Sequence, residues 1–216
     1  MSSPQEFIQV FIDKSRQREL PNKAVVIHAG DVPDSLFYIL EGSVEVLIED
    51  KDGNEIVLSY LNKGDFLGEM GLFEDRGERS AWVRTRTKVV LAEMTYPRFR
   101  ELVKEHPEIL FELANQLSNR LNKTNIKLGN LAFVDVAGRI AYTLMDLCLQ
   151  PDALTHPDGM QIKVSRTELS RLVGCSREMA GRVLKILEEE GLVEVSGKTI
   201  VVHNVRPGET IVLRKT

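Results

Sequence analysis

Two short groups of residues carry much of the chemistry legible in this chain. In Gly68-Glu69-Met70-Gly71 a carboxylate stands between two glycines; a short loop later comes Arg79-Ser80-Ala81, a guanidinium followed by two small residues and then the single tryptophan, Trp82. An anion met by Arg79, with hydroxyl and backbone donors from Ser80 and Ala81, would gain charge-assisted hydrogen bonds, the stronger kind. Glu69 cannot serve the same anion, because an ionised carboxylate only accepts. It suits a hydroxyl donor such as a ribose 2′-OH, while Gly68 and Gly71 permit close backbone approach. Phosphate and sugar hydroxyl held side by side describe a nucleotide, and a compact barrel suits a small cyclic one. The plainer alternative is a Glu69–Arg79 ion pair across a hairpin, and both stay open on residue types alone.

The second group lies in VSRTELSRLVGCSREMAGRVLKILEEEGLVEV. Ser165 and Glu168 have capping-box spacing, Gly174 allows a turn, and Ser176 can cap a second helix running to about Glu190. Two helices joined by a tight Gly-containing turn are a helix-turn-helix. Ala180, Val183, Leu184 and Leu187 fall on one face and are core. Arg177, Glu178, Gly181, Arg182 and Lys185 fall on the other. Arginine bonds guanine O6 and N7 bidentately and glutamate accepts from cytosine N4, so this face suits the major groove, with Gly181 leaving room for close approach. Ser165, Arg166, Thr167, Ser176 and Lys185 stand at helix starts or flanks, where they would hold phosphates and position the helix. GLVEV and KTIVV, separated by Ser-Gly, predict a β-hairpin wing. A merely solvated amphipathic helix would explain the charged face but not cap, turn glycine, arginines and wing in this order.

Other elements must position these groups. Glycines 30, 42, 53 and 64 punctuate β-rich runs such as SLFYIL, SVEVLIE and EIVLSYL, the pattern of an antiparallel barrel or jelly roll. The Asp-Gly pair in KDGNE marks a hairpin turn. Phe7, Ile8, Phe11 and Ile12 share one face of a short helix, AWVRT and KVVLAEM continue the strands, and Tyr96 opens helical sequence. From Pro107 to about Phe133 the chain reads as one long helix. Ala114, Leu117, Leu121, Thr124, Leu128 and Leu131 recur at alternating steps of three and four, the seam of a coiled coil. That favours a homodimer, with polar Thr124 in the seam and Asn125 beside it, over a helix packed only on its own barrel. Asp135 can cap a further helix whose Val136, Ile140, Leu144 and Leu147 share a face. Gln150 to Gln161, with two prolines and an Asp-Gly pair, reads as loop. The expected organisation is α+β: a jelly roll with its N-terminal helix over 1–106, a dimerisation helix and hinge over 107–134, and a winged helix-turn-helix over 135–216.

At 216 residues, 43% hydrophobic and 28% charged, the composition is that of a soluble globular protein. No apolar run reaches membrane-span length and the N-terminus lacks a leader pattern, so a cytoplasmic protein without membrane contact is expected. Cys148 and Cys175 have no Cys or His at ligand spacing, which argues against zinc or an iron-sulfur cluster, and the four histidines give no haem signature. The net charge is −4, but residues from Val136 onward carry 11 basic against 10 acidic, leaving 17 against 22 for the remainder. The later part is where a polyanion would dock. Phosphate-loop, zincin and kinase motifs are absent and the helix-turn-helix would be unexplained, which disfavours a cyclic-nucleotide regulatory subunit of an enzyme such as a kinase.

FLGEMGLFEDRGERSAWVRT, LGNLAFVDVAGRIAYTL, PDALTHPDGMQIKVSRTEL and VGCSREMAGRVLKILEE closely resemble the cyclic AMP receptor protein (catabolite activator) family, from about Ile27 to His203. The resemblance implies a non-catalytic, homodimeric transcription regulator gated by cyclic AMP as allosteric ligand. Gly68 and Glu69 would meet the ribose, Arg79, Ser80 and Ala81 the cyclic phosphate, and Thr124 the adenine. Asn125 replaces a serine that, in enteric members, reaches the nucleotide of the partner subunit. For double-stranded DNA, Arg177, Glu178 and Arg182 match the base-reading residues, implying a near-palindrome with half-sites resembling TGTGA. The loop from Thr155 to Gly159 resembles a surface that touches the RNA polymerase α subunit, and Arg16, Arg18 and Arg98 sit where some relatives carry a second activating patch. A regulator that needs no ligand is the competing reading for the first group.

Overall fold

The computed structural model describes residues 4–73 and 77–207. Residues 1–3, residues 74–76, which separate the two halves of the first group in sequence, and residues 208–216 lie outside the described residues. The chain forms two compact units, one ending at Asn125 and one beginning at Ile126.

The first unit opens with α1 (Pro4–Asp13), followed by β1 (Arg16–Leu20), β2 (Val25–Ile27), β3 (Ser35–Glu41), β4 (Ser43–Glu49), β5 (Glu55–Asn62), β6 (Phe66–Leu67), the single turn α2 (Met70–Phe73), β7 (Trp82–Thr85), β8 (Val89–Thr95), α3 (Tyr96–Glu105) and α4 (Glu108–Phe133), which runs on into the second unit. The strands form two four-stranded antiparallel sheets, in the orders β1-β8-β3-β6 and β2-β7-β4-β5. This is a jelly roll, as expected. Alternation splits β3 between two buried clusters: Leu36 joins the one that α1 and α3 cover, and Phe37 and Ile39 join Val44, Leu61 and Leu91 between the sheets. Phe11, carried by α1, is fully buried and meets Phe66 and Phe99 edge-on at 5.3 and 6.1 Å. Each such buried ring stabilises the unit by about 1.5–3 kcal/mol. In the β4–β5 turn only Gly53 takes a positive φ, 81°. Asp50 shapes the rest, its carboxylate accepting from Asp52 N, Asn54 N and Asn54 Nδ2, each at 2.9 Å, so an Asx-type turn replaces the primed turn that Asp-Gly suggests.

The long helix is buried at one end and exposed along the rest. Ile109 and Leu113 are buried in the core that holds Phe11 and Phe99, with Leu117 packed partly against it. Further on, Leu121, Leu128 and Leu131 are 63%, 64% and 56% exposed. The helix is therefore rooted in its own jelly roll at one end and presents an uncovered apolar stripe along the rest.

The second unit contains the end of α4, then α5 (Val136–Cys148), β9 (Leu154–His156), β10 (Gly159–Lys163), α6 (Arg166–Val173), α7 (Arg177–Glu189), β11 (Val193–Ser196) and β12 (Thr199–His203). Asp135 caps α5, accepting from Gly138 N at 2.8 Å. The expected loop from Gln150 to Gln161 is instead largely a hairpin: β9 and β10 pair and join the wing in a sheet of order β11-β12-β10-β9. Proline and Asp-Gly chemistry describes only its tip, at Pro157 and Asp158, and the turn at Pro151 that leads into β9. Pairing with β12 makes the strands, and Gly159 admits it, because a Cβ there would lie 2.0 Å from the Val202 carbonyl oxygen.

Candidate functional site

Arg79 leaves the loop before β7 with its backbone tied to the opposite turn: Arg79 N donates to Asp31 O and Gly30 N donates to Arg79 O, both at 2.8 Å. Its side chain is 8% exposed. Nη1 donates to Gly68 O (2.9 Å) and to Tyr96 Oη (3.0 Å), and Nη2 donates to Ser35 O (2.8 Å). Tyr96 Oη in turn donates to Gly68 O at 2.5 Å. Burial pushes the Tyr96 phenol upward, with the Arg79 charge opposing, so the hydroxyl keeps the proton this bridge needs. Beyond the guanidinium, the N–H groups of Ser80 and Ala81 find no backbone acceptor among the described residues. Together they form a fixed cation beside two unused donors, the composition of an anion cradle. At the start of β7, Trp82 meets His28 edge-on at 5.2 Å.

Glu69 is 7% exposed and does not pair with Arg79. Its partner is Arg120, from α4: Nη1 donates to Glu69 Oε1 at 3.0 Å, and Nη2 donates to Phe66 O and to Gln116 Oε1. Gln116 itself accepts from Phe66 N (2.8 Å) and donates to Gly64 O (2.9 Å). The alternative of a simple Glu69–Arg79 ion pair is thereby excluded. The carboxylate is held from one side, and among the described residues its Oε2 takes no hydrogen bond. Sequence reading missed Arg120, Gln116 and Tyr96. Arg120 had one available signal, since it stands one helical turn before Thr124 on the same face.

The glycines have a purpose inside the fold that residue types alone did not show. A Cβ on Gly68 would lie 2.8 Å from Arg79 Nη1 and 3.0 Å from Ser35 O, at a φ of 79°. One on Gly71 would meet Pro33 at 2.4 Å and Tyr96 Oη at 2.8 Å. They make room for the protein's own Arg79 and Tyr96. Thr124 and Asn125 are exposed, and Thr124 Oγ1 donates to Arg120 O at 2.9 Å.

In the second unit, Ser165 Oγ accepts from Glu168 N and Ser176 Oγ from Met179 N, both at 3.1 Å. Gly174 sits left-handed at φ 71°, with its N–H and that of Cys175 both donating to Ser170 O, the helix stop its lack of Cβ permits. Ala180, Val183, Leu184 and Leu187 are buried. Arg166, Thr167, Ser176, Arg177, Glu178, Arg182 and Lys185 are exposed, while Ser165 is half-buried. Lys185 Nζ lies 3.7 Å from Glu189, a surface pair of little energetic weight. Gly181 is not open to solvent alone: the Arg166 side chain lies across it, Cδ 3.4 Å from where a Cβ would stand, bringing a cation of α6 onto the surface of α7.

Residues 17–106 match the model of the cyclic nucleotide-binding domain, and residues 138–206 that of the Crp-like helix-turn-helix domain. The chain is 58% identical over 193 residues to the cAMP-activated global transcriptional regulator Vfr of Pseudomonas aeruginosa, covering 88% of this chain and 90% of that protein. It is 52% identical over 199 residues to the cAMP-activated global transcriptional regulator CRP of Salmonella typhimurium, covering 92% and 95%. The solved structure of CLP, a c-di-GMP responsive global regulator of Xanthomonas campestris, superposes with a TM-score of 0.87 at 45% identity, over 93% of this chain and 99% of that one. These relatives are regulators and not enzymes. With its nucleotide-binding jelly roll and helix-turn-helix, this chain belongs to the cyclic AMP receptor protein (catabolite activator) family of bacterial transcription regulators.

Proposed function

We propose that the protein is a homodimeric regulator gated by cyclic AMP, which binds a near-palindromic site with half-sites resembling TGTGA through the major groove and contacts RNA polymerase. The carrying observation is the division of labour in the first site. Buried Arg79 with the unused N–H groups of Ser80 and Ala81 receives one phosphate; Glu69, held by Arg120, offers its other oxygen to a ribose hydroxyl. Thr124 and Asn125 meet the adenine, Asn125 from the partner subunit. Residues 1–106 sense the ligand, 107–134 dimerise and transmit, and 135–216 bind DNA. Arg177, Glu178 and Arg182 read bases, with Ser165, Arg166, Thr167, Ser176 and Lys185 on phosphates. The β9–β10 hairpin faces the polymerase α subunit.

The exposed stripe of α4 supports the dimer, since Leu121, Leu128 and Leu131 continue the a/d spacing past the point where the jelly roll stops covering it. Ligand bound beside Arg120 acts on this same helix, and the switch follows if cyclic AMP binds the DNA-competent arrangement better. The likeness to CLP favours a second reading, in which cyclic di-GMP is the ligand. Its second phosphate needs a second available cation, and Arg120 is already engaged by Glu69 and lies 3.9 Å from Asp65. One phosphate suits the site better.

Isothermal titration with cyclic AMP, cyclic GMP and cyclic di-GMP, followed by fluorescence titration of a labelled TGTGA palindrome, tests the proposal. Cyclic AMP should bind best and tighten DNA binding; unchanged DNA affinity at saturating cyclic AMP would make gating wrong. Arg120→Ala should weaken cyclic AMP roughly 10-fold, by loss of a charge-assisted bond that orients Glu69, with Arg120→Lys recovering part of it. Equal heats for wild type and Arg120→Ala would remove Arg120 from the site.

A further inference from the structure

Ser80 Oγ, the hydroxyl assigned to the phosphate, donates to the thioether of Met70 at 3.6 Å. Met70 opens α2 directly after Glu69 and is 54% exposed. The other described methionines are shielded: Met94 and Met160 are 2% and 5% exposed, and Met145 and Met179 are half-buried. A thioether is a weak acceptor, easily surrendered when a phosphate oxygen arrives.

From this geometry we infer that Met70 is an oxidative modification site that controls the nucleotide pocket, an inference that rests on the reading of Ser80 as a phosphate donor. A hydroperoxide such as hydrogen peroxide transfers its distal oxygen to Sδ. The S–O bond forms, the O–O bond breaks, the thioether is oxidised by two electrons, and the peroxide leaves as water. The product is a polar sulfoxide whose oxygen accepts hydrogen bonds strongly. Placed where Sδ now meets Ser80 Oγ, it holds the hydroxyl proton and directs a negative dipole toward the phosphate position. Ligand affinity falls, and reduction of the sulfoxide restores it. Reactivity follows access to the sulfur, so the exposed methionine is modified before the buried ones.

The test treats the full-length protein with hydrogen peroxide, locates sulfoxides by peptide mass spectrometry, and measures cyclic AMP binding calorimetrically before and after, in wild type and in Met70→Leu. Met70 should oxidise first among the described methionines. Affinity of the oxidised wild type should fall about 5–10-fold, the loss of one hydroxyl hydrogen bond. Met70→Leu should bind like untreated wild type both before and after peroxide, and methionine sulfoxide reductase should return the oxidised wild type to its starting affinity. Equal affinity of untreated and Met70-oxidised wild type overturns this inference alone, as does an equal loss in Met70→Leu. Absence of cyclic AMP binding by untreated wild type overturns it together with the ligand reading.

Discussion

Arg79→Leu should abolish measurable cyclic AMP binding, with a loss of at least about 100-fold. Two charge-assisted hydrogen bonds to the phosphate, at about 1.5–3 kcal/mol each, set that scale. The same guanidinium also satisfies the carbonyls of Ser35 and Gly68 and the Tyr96 hydroxyl. Leucine removes that donor from all three and leaves Gly68 O only its bond from Tyr96, so the variant should also melt several degrees lower, even with no ligand present. Arg79→Lys separates the two effects. An ammonium keeps the charge but cannot span acceptors on both sides as a planar fork does, so it should recover part of the binding and little of the stability. Calorimetric titration beside thermal unfolding checks both, and unaltered cyclic AMP heats in Arg79→Leu would sink the phosphate assignment.

On the DNA side, the largest effect is expected from Arg177→Ala. A bidentate arginine–guanine pair discriminates by about 1–3 kcal/mol, and a dimer on a palindrome loses it twice, so specific affinity should fall by about 30-fold or more. The loss should vanish on sites already altered at the guanine this residue reads. Lys185→Ala should act differently. It weakens binding to every sequence alike and lowers the slope of log affinity against log salt by about one for each phosphate no longer neutralised. Competition binding against single-base variants of the half-site, repeated at several salt concentrations, separates the two. A uniform loss in Arg177→Ala would move that residue from base reading to the backbone.

What could be read from the chain beforehand follows a physical boundary. Helix caps obey rules spanning three or four residues, and Ser165, Ser176, Asp135 and Gly174 stand as their spacing required. The buried face of α7 is likewise set by local period. The Glu69 partner is not local: Arg120 lies fifty-one positions away, and nothing in the composition of either segment marks the pair. The same applies to Gly68 and Gly71, whose missing side chains accommodate Arg79, Pro33 and Tyr96, groups that only folding brings near. The β9–β10 hairpin was hidden because its hydrogen bonds come from β12, distant in sequence, while its own residues carry the marks of a turn. The long helix was ambiguous for a real reason, since Ile109 and Leu113 root it in its own jelly roll while Leu121, Leu128 and Leu131 stay exposed.

The edge-on contact of Trp82 with His28 has a practical consequence. The chain has one indole, and it follows immediately after the residues assigned to the phosphate. All tryptophan emission from this protein therefore originates three positions from Arg79, beside the residues proposed to hold the phosphate. An unlabelled sample excited at long ultraviolet wavelength therefore offers a label-free readout for the titrations proposed above, and the spectrum, lifetime and anisotropy each report one place in the molecule, not an average over many.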